Sequence, residues 1–162
     1  MFTGRRYGFT PTRSRPSSRS RPASGDSKPA TAGRHVLYVD DEPALRVFVR
    51  ELLEFEGFEV TVCASAYEAL QQLHERAAVF DVVVTDYNMP GHSGLDVAAE
   101  VARHRPGLPV IISSGYFTPE LQRKAETLGV LALVNKADLV SRLPTLLKSV
   151  LAMPAPRAAQ DG

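Results

Sequence analysis

The sequence holds no tryptophan and a single cysteine, Cys63. One cysteine forbids any disulfide within the chain, so stability must come from a packed core, and a reducing compartment suits it. No apolar stretch approaches the roughly 20 residues of a membrane span. The basic N-terminus lacks the apolar core that a secretory signal needs behind its charges. Acids are nearly missing from the start: residues 1–33 carry Arg5, Arg6, Arg13, Arg15, Arg19, Arg21 and Lys28 against Asp26 alone. That stretch is rich in Ser, Pro, Thr and Gly and shows no aliphatic periodicity, so burial cannot offset its ordering entropy. The reading is a disordered basic tail over 1–33, a folded domain over 34–152 and a flexible tail over 153–162, in the cytoplasm. The basic tail would attract phosphates without sequence preference. With only Phe2, Tyr7 and Phe9 for stacking and no recognisable DNA-binding fold, nucleic acid is not the expected partner.

What the folded part does contain is a regular alternation. "HVLYV" (35–39), "DVVVT" (81–85), "LPVIIS" (108–113) and "VLALV" (130–134) are continuous apolar runs, and "FEVTVC" (58–63) alternates like a strand. Between them lie helical patterns. Leu45, Phe48, Val49, Leu52 and Leu53 fall at helical spacing over 43–56, with Gly57 as terminator. Ser65 with Glu68, and Ser93 with Asp96, read as capping boxes. Thr118-Pro119 opens another helix, with Pro at the favoured first position. The stretch 138–151 is helical, with Pro144 either delaying its start or kinking it. Continuous apolar strands separated by amphipathic helices imply a doubly wound α/β domain: five parallel strands with helices on both faces.

In such a sheet, residues just after the strands converge on one edge, where ligands bind. Asp40 and Asp41 follow the first strand, Asp86 the third, Ser113 and Ser114 the fourth, and Lys136 the fifth. Three carboxylates in one small space repel unless a hard cation joins them, and magnesium prefers a few oxygen ligands with the rest left to water and phosphate. Asp86 stands alone after a central-type strand, so it is the candidate to attack a phosphoryl group and form an acyl phosphate. Lysine and metal would spread the charge of the transferring group. Glu42, before Pro43, reads as an acid at a helix N-terminus. The four histidines, His35, His74, His92 and His104, show no metal-ligand spacing and read as solvent-facing or loop residues.

"VLYVDDEP", "DVVVTDYNMPGHSG", "PVIISSG" and Lys136 come in that order after successive strands. In them the stretch 35–151 resembles the receiver domain of bacterial two-component response regulators, of the CheY-like superfamily. The resemblance implies Asp86 as phosphoacceptor, Asp41 as a direct magnesium ligand, Asp40 acting through bound water and the backbone carbonyl of Asn88 as a further ligand. It implies Ser114 as the hydroxyl that follows the phosphoryl group, with Ser113 facing away, and Lys136 as the pairing cation. A histidine kinase or phosphotransfer protein would be the donor and an unnamed protein the downstream target; with eleven residues left after Leu151, the receiver is expected to stand alone rather than to be an enzyme. Three departures stand out. Ala137 replaces the proline that receivers place after the lysine, which predicts a different setting for Lys136. Leu133 stands where an aromatic often turns inward, and Pro144 interrupts the last helix. Two rival readings remain: an unphosphorylated interaction module, and a phosphatase of the haloacid dehalogenase type. The latter needs a second Asp where this chain has Asn88.

Overall fold

The computed structural model describes residues 33–152. The expected tails, Gly33 apart, lie outside that range. The strands are β1 (His35–Val39), β2 (Glu59–Cys63), β3 (Val82–Asp86), β4 (Val110–Ser114) and β5 (Ala132–Asn135). The helices are α1 (Pro43–Phe55), α2 (Ala66–Arg76), α3 (Gly94–His104), α4 (Pro119–Thr127) and α5 (Leu139–Ala152). All five strands are parallel, in the order β2-β1-β3-β4-β5. This is the doubly wound α/β fold expected from the alternation.

The strands are apolar on both sides because both sides are covered. Val36 and Tyr38 of β1, Val82 and Val84 of β3 and Ile111 of β4 pack beneath Val49 and Leu53 of α1 and Leu139, Leu143 and Leu147 of α5. The intervening residues Leu37, Val39, Val83 and Ile112 point the other way. They meet Ala69 and Leu73 of α2 and Val97, Ala98 and Val101 of α3.

Local chemistry sets the element ends. Gly57, at φ 101°, terminates α1, its N–H donating to the Glu54 carbonyl while Phe58 N–H reaches Leu53. This double reach satisfies carbonyls that would otherwise be orphaned. Ser93 and Asp96 form the expected capping box. Ser65 caps α2 by accepting from Glu68 N–H at 3.1 Å, but the Glu68 carboxylate reaches Ala64 N–H instead of closing the box. Glu42 occupies the N-cap position of α1 without a side-chain cap hydrogen bond, so only half of its expected role is realised. α5 runs from Leu139 through Pro144, which therefore does not delay its start.

Strand ends shift by a residue or two, and one shift matters. β3 closes on Asp86 rather than before it, so Asp86 is held in the ladder, paired in register with Ser113. Directly behind it sits Gly94, the first residue of α3. A Cβ there would lie 2.6 Å from the Asp86 carbonyl oxygen, so α3 approaches this strand end only because the side chain is absent. Gly94→Ala is expected to destabilise the fold by about 1–3 kcal/mol in denaturant unfolding. Gly107→Ala, whose added Cβ meets nothing within 4 Å, is the control and should be close to neutral. Equal losses for the two would refute the close approach.

Candidate functional site: carboxylates at the strand ends

β1 and β3 are neighbours, so their C-terminal ends bring Asp40, Asp41 and Asp86 together. Their carboxylate oxygens lie within 4.8 Å of one another. Asp40 is fully buried and Asp86 nearly so, while Asp41 is exposed at the mouth. Lys136, just past β5, reaches across: its Nζ is 2.9 Å from Asp86 Oδ2 and 3.4 Å from Asp40 Oδ2. The Ala137 N–H, which a proline would lack, donates to Asn135 Oδ1 at 2.9 Å and fixes a short 3-10 turn over Lys136–Asp138.

Asp40 is held from several sides. Tyr38 OH donates to its Oδ2 at 3.0 Å, Glu42 N–H to its Oδ1 at 2.9 Å, and Arg46 Nη1 to its carbonyl at 2.8 Å. In the sequence Tyr38 reads only as an apolar strand residue. Its place two before Asp40, hence on the same face of β1, was the available signal. Burial, with Asp40 beside it, pushes the Tyr38 hydroxyl well above its ordinary range.

Asp86 carries the electrostatic tension. Burial raises its carboxyl above the usual range. Lys136 and the Asn88 backbone N–H hold it down, and the Asp40 charge pushes it further up, with a net rise. Lys136 is partly desolvated, which lowers its ammonium, but its bond to Asp86 and the Asp40 charge outweigh that and raise it. One lysine does not compensate three acids.

The two serines divide differently than expected. Ser113, in register with Asp86, shares its face of the sheet and is not turned away; its Oγ is buried with no hydrogen-bond partner. Ser114 lies in the next row and donates its hydroxyl to the Tyr116 carbonyl at 2.8 Å. Asn88 is exposed in the loop after β3, and Leu133 packs against the core. The histidines are not all isolated: His74 and His104 meet at Glu100, away from this site.

Three carboxylates and a lysine meet at the C-terminal edge of a five-stranded parallel sheet. The profile of the response regulator receiver domain matches residues 36–148, and the chain belongs to that family. Among curated relatives it is 28% identical to the transcriptional regulatory protein FixJ of Bradyrhizobium diazoefficiens, over 81% of this chain and 63% of that protein. It is 38% identical to the probable transcriptional regulatory protein TcrX of Mycobacterium tuberculosis, over 54% of this chain and 35% of the relative. The chain thus spans about a third to two thirds of these relatives. Among solved structures it resembles chemotaxis protein CheY4 of Vibrio cholerae, with 28% identity, TM-score 0.67, and 74% and 99% of the two chains covered. It also resembles TrrA of Thermotoga maritima, solved in complex with Mg(2+)-BeF, with 28% identity, TM-score 0.63, and coverage of 72% and 98%.

The raised carboxyl of Asp86 fixes the sign of a pH effect. A folded-state value above the unfolded one favours folding at low pH, and that contribution is lost as pH rises through the folded value. Asp86→Asn, which leaves Lys136 its contact with Asp40, is therefore expected to melt above the wild type at pH 7 in chelator, by on the order of 1 kcal/mol. The gap should close on acidification into the ordinary carboxylate range. Coincident melts at every pH would show that the carboxylates are not in tension.

Proposed function

We propose that Asp86 accepts a phosphoryl group from the phosphohistidine of a partner kinase or phosphotransfer protein, and that the domain signals through the resulting change in its protein-binding surface. The supporting observation is the convergence of Asp40, Asp41 and Asp86 on Lys136 Nζ, 2.9 Å from the proposed nucleophile. In the transfer, an Asp86 carboxylate oxygen bonds to phosphorus as the phosphorus–nitrogen bond breaks. The electron pair of that bond stays on the donor's imidazole. Lys136, already on Oδ2, is placed to meet an oxygen of the incoming group as a point charge.

The donor set suits magnesium: all ligand atoms are carboxylate or carbonyl oxygen, and the site carries uncompensated negative charge. On this reading Asp41, Asp86 and the Asn88 carbonyl would hold the ion, with Asp40 acting through bound water. The ion, when bound, supplies charge neutralisation for the transferring group. Ser114 is the switch hydroxyl, and to follow the phosphoryl group it must exchange the Tyr116 carbonyl for a phosphoryl oxygen. Asn88, which cannot donate a proton as a second carboxylic acid would, disfavours rapid hydrolysis, so the phosphorylated state persists as a signal and the domain is not an enzyme. The receiver, alone or joined to other segments, would act in the cytoplasm. No helix of the described residues is long and apolar enough to cross a membrane.

The test is mobility in a phosphate-affinity gel after incubation with acetyl phosphate. A magnesium-dependent, base-labile shift that disappears in Asp86→Ala is the expected result. An unshifted wild type with magnesium demonstrably bound would favour an unphosphorylated interaction module.

A further inference from the structure

All four histidines of the chain lie within the described residues. Two have local partners. His35 is part-buried, with Nε2 2.7 Å from Thr61 Oγ1. His92 is exposed, with Nδ1 3.5 Å from Asp96. The other two converge from different helices. His74 lies near the end of α2 and His104 closes α3, and the helices pack side by side on one face of the sheet. Glu100, one turn before His104, stands between them. Its Oε2 is 2.7 Å from His104 Nε2 and 3.4 Å from His74 Nε2. The two imidazole centroids are 5.2 Å apart, and the candidate ligand atoms of all three residues lie within 4.8 Å of one another.

We propose that His74, Glu100 and His104 form a second cation site, distinct from the carboxylates at the strand ends, that binds zinc or a similar late first-row divalent metal. The donor chemistry selects the class. Two imidazole nitrogens and one carboxylate oxygen suit zinc, nickel and copper, whereas magnesium seeks oxygen alone. The two carboxylate–imidazole separations need little adjustment. Ligands about 2.0–2.1 Å from a tetrahedral ion stand roughly 3.3 Å apart, close to the present His74–Glu100 separation. The His104–Glu100 contact must open by under an ångström, and His104 is exposed enough to turn.

Glu100 is the fixed member. Its side chain is only 13% exposed, and Arg103 Nη1 holds its other oxygen, Oε1, at 3.0 Å, leaving Oε2 to the two rings. The same guanidinium opposes a dication, so affinity weaker than that of a closed structural site is expected. Three protein ligands leave a position for water. Occupancy would pin α2 to α3. Because the ligands meet only in the folded chain, the metal stabilises that state.

Tag-free full-length protein, stripped by chelation, would be titrated with zinc chloride by calorimetry in excess magnesium, with parallel thermal melts. One equivalent should bind, with unchanged affinity in Asp86→Asn and His92→Gln. Binding should weaken about tenfold or more in His74→Gln or His104→Gln and vanish in the double variant. The melting temperature should rise by several degrees with zinc in the wild type and stay fixed in the double variant. Equal metal-free melts of the two proteins would show the fold intact. Zinc binding that survives the double histidine variant, or is lost in Asp86→Asn or His92→Gln, overturns the assignment, as does no binding at all.

Discussion

Like charges crowded at the end of a buried strand pair are the constraint around which this domain is arranged. Asp40 and Asp86 come from adjacent strands, both with almost no access to water. A buried carboxylate costs several kcal/mol unless it is paired or hydrogen-bonded. Each neighbouring element supplies part of that compensation. β1 turns its Tyr38 hydroxyl along its own face onto Asp40, and the N-cap of α1 offers the Glu42 N–H. Lys136 arrives from the far side of the sheet after β5. Gly94 lets α3 close against the β3 end without displacing Asp86. The site is held from five elements and remains short of positive charge, which makes it receptive to a cation.

The layout of the fold was legible because the strands carry their burial in their composition. Continuous Val, Ile and Leu runs can be satisfied only by a sheet covered on both sides. The ends were less legible. "LPVIIS" read as a strand from Leu108, but β4 begins at Val110 and extends to Ser114; Pro109 has no N–H to give a ladder. Val130 and Leu131 looked like strand, yet Val130 N–H is used to close α4 on the Ala125 carbonyl. Pro144 was expected to disturb α5. Leu139, Leu143 and Leu147 are all fully buried on one stripe of that helix, and that packing outweighs the lost backbone hydrogen bond.

The site was legible to the extent that parallel topology brings strand ends together regardless of sequence separation. What resisted reading was orientation. The register of β3 against β4, from Val83 opposite Val110 onward, places Ser113, not Ser114, in the row of Asp86. Asn135 caps the turn after β5 through the Ala137 N–H, a donor that proline would have removed, and Lys136 Nζ stands 2.9 Å from Asp86 Oδ2. The Glu100–His104 spacing of one helical turn was present in the sequence. That His74 faces it depends on the packing of α2 against α3, which no local pattern encodes.

A switch requires that phosphorylation interact differently with two arrangements of the same groups. In this structure both proposed switch groups are already engaged, Lys136 with Asp86 Oδ2 and Ser114 with a neutral backbone carbonyl. A phosphoryl group on Asp86 would move negative charge outward from the buried carboxylate and offer charged oxygens. Hydrogen bonds to charged acceptors are roughly twice as strong as neutral ones, so on the proposed function Ser114 would gain by leaving Tyr116. Tyr116 itself is exposed, on the loop between β4 and α4. On the proposed function, releasing its carbonyl would free that loop while Lys136 would draw the β5 turn toward the same group. The proposed surface change would then be set by two local exchanges of hydrogen-bond partner, without the inward aromatic turn that Leu133 cannot supply.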